Sequence, residues 1–194
     1  HLVEKLGLQP DQVKLTGMLV LYNNMLQSLF RSQILTLGAV FVAILVMFLV
    51  LFRSLRIALI SSVPTAVAAA LVLGTMGWAG IPLDLMTITV AAISIGIAVD
   101  DTIHYVHRFT REFGKDNNYW AAVNRSHASI GRAMYYTTVT VTLGFSILAL
   151  SNFVPTIYFG LLTGFAMMVA LLADLTLLPL LIVRFKPLGQ AGRP

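Results

Sequence analysis

Five long apolar runs, each close to the length of a membrane-spanning helix, dominate this sequence. The first two carry no charged side chain at all. A spanning helix needs about 20 consecutive apolar residues. The whole chain is 58% hydrophobic and only 11% charged, whereas soluble domains carry about 25% charged residues. The pattern predicts an all-α integral membrane protein and excludes a soluble enzyme. The predicted spans are 33–52, 57–78, 83–106, 134–151 and 154–184.

Basic residues predict how the five spans are oriented. With alternate loops on opposite sides, ten of the 13 lysines and arginines fall on one side, and the two short loops opposite carry none. Cytoplasmic loops carry the excess of Lys and Arg in membrane proteins. We therefore expect a multi-pass protein of the inner (plasma) membrane, with an extracytoplasmic N-terminal segment and a cytoplasmic C-terminus. Because the positive charge is spread over loops and forms no single patch, no nucleic-acid partner is expected.

The segments outside the spans are short. Residues 1–32 lack the positive start and cleavage site of a signal peptide. They are expected to be the end of an extracytoplasmic domain, followed by an amphipathic helix over 17–33 in which Leu21 and Met25 share a face. The cytoplasmic loop 107–133 is expected to turn at 114–118 before a short helix from Tyr119. Residues 186–194 form a cytoplasmic tail. The acids Glu112 and Asp116 are expected to be solvated.

Two adjacent aspartates interrupt the third span. Asp100 lies eight residues before Arg108, which is about 12 Å along a helix. The aspartate side chain is too short to reach the cytoplasm over that distance. An ionised Asp at the bilayer centre costs about 2.5–3.5 kcal/mol, and such acids face a bundle interior or a water-filled path. Burial and mutual repulsion disfavour two charges here, so one of the pair is expected to bind and release a proton. A purely structural role, pairing with a neighbouring helix, is the alternative.

Other polar side chains accompany this pair. His104 and Tyr105 follow it in the third span, Thr137 and Thr138 begin a threonine-rich fourth span, and Asp174 interrupts the last. Each has a plainer interpretation. Interfacial histidines are often solvated, tyrosines belong to aromatic belts, and threonine hydroxyls bond their own helix. Asp174 could simply hydrogen-bond a neighbouring span.

Glycines in the last span predict a close helix contact. Gly160 and Gly164 form a small-xxx-small pair, which lets helix backbones approach closely. Other glycines, over 74–80, do not form a phosphate loop, since no Lys-Ser/Thr follows them. There is no cysteine, and the four histidines lack the spacing of a metal site. We therefore expect no cofactor and no metal.

The residues around the acid pair resemble a known family. The run 96–105, Gly-Ile-Ala-Val-Asp-Asp-Thr-Ile-His-Tyr, followed by Arg-Phe and Arg-Glu-Phe within 108–113, resembles the central-helix signature of the RND superfamily, particularly its MMPL-type exporters of hydrophobic compounds. The likeness extends to 52–56, to 133–151 and to 173–179, and so covers almost the whole chain. Each half of such a transporter has one span, a large extracytoplasmic domain and five further spans.

The resemblance implies that this chain is the C-terminal five-span membrane portion of such a transporter. One position differs, because Asp101 stands where MMPL-type members carry a tyrosine. The implied partners are the lipid bilayer, the N-terminal half and extracytoplasmic domains of the same transporter, and a hydrophobic or lipid-like substrate; a homo-oligomer is left open.

The resemblance also implies proton-motive-force-driven export, which is secondary active transport and not enzyme catalysis. Asp100 would be the main protonatable residue and Asp101 its partner, opposite a threonine hydroxyl. The proton gradient would take the place of a cofactor. The implied proton relay is Asp100, Asp101, Tyr105, Thr137 and Thr138, with His104 and Asp174 as accessory residues.

Two other functions share part of this pattern. A sterol-sensing-domain-like lipid sensor has the same five spans, but needs a lipid cleft and no net proton flux. A protein-translocation accessory of the SecD/SecF type has a similar Val-Asp and Arg-Glu arrangement. The His104-Tyr105 pair and the threonine-rich span favour the exporter.

Overall fold

A computed structural model describes residues 17–81 and 85–189 of the chain, and these are helical with no strand among them. The predictions for residues 1–16, for Asp84 at the start of the third span and for the end of the tail (190–194) lie outside the described residues. In chain order the helices are α1 (Met18–Phe52), α2 (Leu55–Trp78), α3 (Leu85–Asp116), α4 (Tyr119–Ser126), α5 (Arg132–Ser146), α6 (Val154–Leu172) and α7 (Leu178–Phe185).

Three short turns of non-α-helical geometry lie between or after these helices. A first π-turn, His127–Gly131, links α4 to α5, and a second, Ala173–Leu177, links α6 to α7. A 3-10 turn, Ile147–Leu150, ends the α5 segment. Insertions of this kind are frequent at functional sites.

Helices long and apolar enough to span a membrane overlap four of the five predicted membrane segments. Within the described residues, four windows are long and apolar enough to cross a membrane: Ile34–Phe52, Leu55–Trp78, Tyr119–Leu150 and Val154–Phe185. They overlap the first, second, fourth and fifth predicted spans, and the third window begins at Tyr119, inside the segment predicted as a cytoplasmic loop. The remaining span, 83–106, corresponds to α3, whose 32 residues extend over about 48 Å. The all-α membrane fold predicted from the sequence is confirmed.

The chain divides into two units, His1–Val40 and Phe41–Pro194. In the first unit, the helix predicted over 17–33 is present from Met18 onward. The side chains of Leu21 and Met25, predicted to share one face, are both exposed. All of the following description concerns the second unit.

The predicted cytoplasmic loop 107–133 is almost entirely helical. α3 continues to Asp116, and the chain turns only at Asn117, which has a positive φ of 51°. The side chain of Asn118 then accepts a hydrogen bond from the Ala121 amide and caps α4. The short helix predicted from Tyr119 is therefore confirmed. Its first residue packs on Phe109 and Phe113 of α3, which explains why the two helices fold back on each other.

A buried carboxylate holds α3 and α4 together. The expectation that Glu112 is solvated is wrong, because its side chain is only 1% exposed. Its oxygens lie 3.0 Å from Arg108, 2.7 Å from Lys115 and 2.9 Å from Arg125. Arg125 also binds both oxygens of Asp116, at 2.8 and 2.9 Å. Hydrogen bonds from Lys115 and Arg125 hold the pKa of Glu112 below its ordinary value, and Arg125 does the same for Asp116.

The contribution of this cluster to stability should disappear in acid. Because both carboxyl pKa values are lowered in the folded protein, the stabilisation is complete above the ordinary carboxyl range, about pH 4, and is lost as the pH falls through the lowered values. We expect Glu112→Gln at neutral pH to reproduce the acid state, with faster amide hydrogen exchange in α4. Arg111→Gln, at an exposed neighbouring position, is the control. Unchanged exchange in Glu112→Gln would show that the cluster contributes nothing.

Small side chains bring α2, α3 and α6 close together. Ala68, Ala98 and Ala170 pack into one cluster. Polar side chains are also buried in the bundle, one or two helix turns away from these alanines. Burial of a polar group costs free energy unless the group has a hydrogen-bond partner. These side chains are Ser61 and Thr65 of α2, Thr102 of α3, Thr163 of α6 and Asp174 of the second π-turn.

Candidate functional site

A groove of about 370 Å³ lies between α3 and α5. Asp100, Asp101 and His104 of α3 line one side, and Thr137 and Thr138 of α5 line the other. We call it the acid groove. Its remaining wall is apolar and includes Ile97, Val141 and Met167. The structure thus brings together five of the seven residues predicted for the relay or as its accessories.

The three consecutive residues from Asp100 to Thr102 differ sharply in burial. The Asp100 side chain is 73% exposed, Asp101 is half-buried and Thr102 is buried. Successive helix residues point about 100° apart, so the acid pair occupies two neighbouring faces, as the sequence predicted. His104 lies one turn after Asp100, with its Nε2 3.7 Å from the Asp100 carboxylate, and is also exposed. Asp100 and His104 therefore form the open edge of the acid groove.

The two threonines opposite the acids are not equivalent. Thr137 is an exposed residue whose hydroxyl bonds its own helix, donating to the Met134 carbonyl at 2.9 Å. This is the plainer role that threonine has in helices. Thr138 is buried, with only 2% of the residue exposed, and lines the groove. Of the two predicted hydroxyls, Thr138 is the better placed to face a carboxyl across the groove.

Asp174, in the second π-turn, contacts α3 on a face that does not line the acid groove. It is 1% exposed, and its Oδ1 is 2.7 Å from the hydroxyl of Thr102. That hydroxyl is also 2.9 Å from the Ala98 carbonyl. Since a hydroxyl has one proton to donate, it can donate to an ionised Asp174, or donate to Ala98 and accept from a protonated Asp174. A hydrogen bond from Asp174 to a neighbouring span was one of two interpretations that sequence analysis left open, and Thr102 was not identified as the partner.

Tyr105 also points away from the acid groove. It is fully buried, and its hydroxyl lies 3.2 Å from Nδ1 of His127. The two rings meet edge to face, with centroids 5.5 Å apart. Sequence analysis found no role for His127, because nothing in its local pattern distinguishes it from a solvated interfacial histidine. The seven predicted residues are therefore divided among three places. Five line the acid groove, and the other two form separate buried contacts, Asp174–Thr102 and Tyr105–His127.

Comparison with known proteins gives these features a family context. The model of the MMPL family matches residues 1–193. The chain is 30% identical over 165 residues to the hopanoid transporter HpnN of Burkholderia multivorans. It is 29% identical over 153 residues to the putative membrane protein MJ1562 of Methanocaldococcus jannaschii. Each alignment covers 79% of this chain, but only 18% of the first relative and 39% of the second. The chain thus spans less than half the length of these curated relatives.

Proposed function

Because the chain belongs to the MMPL family, we propose that it is the membrane portion of a proton-motive-force-driven exporter of hydrophobic or lipid-like compounds. The exporter lies in the inner membrane, with the N-terminal segment of this chain outside and its C-terminus in the cytoplasm. The substrate-handling extracytoplasmic domains and the N-terminal half belong to the same transporter. The relative named a hopanoid transporter supports a lipid-like substrate and favours export over a lipid sensor or a protein-translocation accessory.

The acid groove is the observation that carries this proposal. It gathers two carboxyls, an imidazole and two threonine residues between α3 and α5. Asp100 is the main proton carrier, Asp101 is its partner, and Thr138 faces them across the groove. A proton that arrives from outside neutralises the carboxyl and removes the cost of a charge within the membrane. The bundle then shifts, and the proton leaves towards the cytoplasm.

The membrane potential can drive such a cycle. It supplies about 2.3 kcal/mol per charge for each 100 mV. An energy of this size is enough to shift a two-state bundle whose states differ by a few kcal/mol. Each proton that crosses can therefore be coupled to one change of state.

Reconstitution of the complete protein tests the proposal. With acid on the extracytoplasmic side, proteoliposomes should move a fluorescent lipid analogue to that side and protons in the opposite direction. A protonophore, which collapses the gradient by carrying protons through the bilayer itself, should stop the movement of the lipid analogue. A single cysteine at Asn124, exposed on α4, reports vesicle orientation in a cysteine-free background and should react only from the cytoplasmic side. Lipid binding without proton movement would overturn the proposal and indicate a lipid sensor.

A further inference from the structure

His127 begins the first π-turn, and both of its ring nitrogens face a backbone carbonyl. Its Nε2 lies 2.8 Å from the Leu175 oxygen in the second π-turn. Its Nδ1 lies 3.0 Å from the Val123 oxygen one turn earlier on α4. The Tyr105 hydroxyl, 3.2 Å from Nδ1, is a third neighbour. The half-buried ring therefore links α3, α4 and the last span.

The Leu175 carbonyl lies four residues before a proline, within the second π-turn. In an α-helix, it would accept from the amide four residues later, but that residue is Pro179, which has no N–H. The imidazole of His127, with its proton on Nε2, can donate to this carbonyl. Gly131, at the end of the same π-turn, allows the close approach, since a Cβ there would lie 3.3 Å from a methyl group of Leu175.

The hydrogen bonds of this ring depend on its charge. Carbonyl oxygens only accept, and a neutral imidazole carries a single N–H. With that proton on Nε2 for Leu175, the neutral ring presents a lone pair at Nδ1, which accepts from the Tyr105 hydroxyl. Only the doubly protonated ring donates to both Leu175 and Val123. The two charge states therefore have different hydrogen-bond partners, and Tyr105 distinguishes them.

We propose that His127 is a second proton-binding site, on the cytoplasmic side of the bundle, that loads and releases a proton during transport. This proposal rests on the proposed function. A proton from cytoplasmic water binds Nδ1, and the new N–H donates to the Val123 carbonyl. The Tyr105 hydroxyl then loses its acceptor and must turn away; release of the proton to water restores the first state. Because Tyr105 is one turn from Asp101 on α3, the charge of His127 is communicated to the helix that carries the acid pair.

The polar groups in contact with the His127 ring are the two carbonyls and the Tyr105 hydroxyl. Arg125 is committed to Glu112 and Asp116, and Asp174 is hydrogen-bonded by Thr102. No described acid is within ion-pairing distance of the ring. The elements packed around His127 carry the following titratable and charged residues: Asp100, Asp101, His104, Tyr105, His107, Arg108, Arg111, Glu112, Lys115 and Asp116 of α3, Tyr119 and Arg125 of α4, Arg132, Tyr135 and Tyr136 of α5, and Asp174 of the second π-turn.

His127→Gln in the complete protein tests the proposal. Glutamine can still donate to Leu175 but cannot titrate. Histidine changes charge between about pH 5 and 8, so wild-type transport, measured against cytoplasmic pH over this range, should show a step that His127→Gln lacks. The exposed His107→Gln is the matched control and should keep the step. A wild-type pH profile in a well-expressed His127→Gln protein would overturn the proposal.

Tyr105→Phe provides an independent test if His127→Gln fails to fold. Loss of the hydroxyl removes the donor to the neutral ring and leaves the two carbonyls that favour the charged one. The step in the pH profile should therefore move to higher pH, and an unmoved step would contradict the proposal.

Nitrogen NMR of the imidazole separates this inference from the proposed function. In wild-type protein with ¹⁵N-labelled histidine, the signal that disappears in His127→Gln should show two protonated nitrogens in acid and one in alkali. A ring that stays singly protonated from about pH 5 to 8 overturns the inference even if transport is proton-driven. Absence of proton-coupled transport with a normal titration of His127 would instead refute the proposed function.

Discussion

Asp100→Asn is expected to abolish proton-coupled export by the complete protein without preventing its insertion into the membrane. Asparagine has nearly the shape of aspartate but cannot bind and release a proton. The side chain is 73% exposed at the edge of the acid groove, so its replacement removes little packing. One coupled proton contributes about 2.3 kcal/mol per 100 mV. Its loss lowers the substrate ratio that the exporter sustains by roughly fiftyfold for each 100 mV.

The matched control for this experiment is Asp100→Glu. It keeps a carboxyl at the same place on α3 and should retain part of the transport, whereas the asparagine variant should retain none. Substrate and proton movement are measured together in proteoliposomes that contain equal amounts of each variant. Proton-dependent transport that survives in Asp100→Asn would refute the assignment of Asp100 as the main carrier and would leave Asp101 or Asp174 in that role.

Local sequence pattern predicted the membrane helices and the two faces of the acid pair. Apolar runs of spanning length predict helices, and helical spacing alone separates the faces of Asp100 and Asp101. The resemblance then placed a threonine opposite the pair, and Thr138 does line the groove. Which of Thr137 and Thr138 is the better placed could not be predicted, because the burial of one and the exposure of the other depend on how α5 rotates against its neighbours.

The contacts that sequence analysis missed join residues that are distant in the chain. Glu112 was expected to be solvated because it lies in a basic, polar segment, and its burial depends on α4 folding back so that Arg125 reaches it. His127 contacts the Leu175 carbonyl, four residues before Pro179, and the two segments are 48 residues apart at that contact. A proline inside a helix has no amide to donate to the carbonyl four residues earlier. Pro179 is therefore a sequence signal that points to Leu175, though not to His127.

Gly160→Ala is expected to disrupt the packing of α6 against the end of the α5 segment. A Cβ at this position would lie 2.5 Å from the Phe145 carbonyl oxygen and 2.7 Å from Cβ of Leu148. Neither atom is the flexible end of a side chain, so relief requires the two backbones to separate. Overpacking of this kind costs typically about 1–3 kcal/mol. The small-xxx-small pair predicted from the sequence thus has a specific partner, the turn from α5 into Ile147–Leu150.

Two other glycines provide a graded comparison in the same chain. A Cβ at Gly164 would meet a methyl group of Thr142 at 3.3 Å, and a Cβ at Gly144 would meet nothing within 4 Å. Alanine at Gly144, inside a helix, should stabilise by roughly 0.5–1 kcal/mol. The free energy of unfolding, measured by denaturant titration in detergent micelles, should therefore fall most for Gly160→Ala, less for Gly164→Ala, and not at all for Gly144→Ala. Equal stability of the Gly160 and Gly144 variants would mean that α6 does not approach the α5 segment this closely.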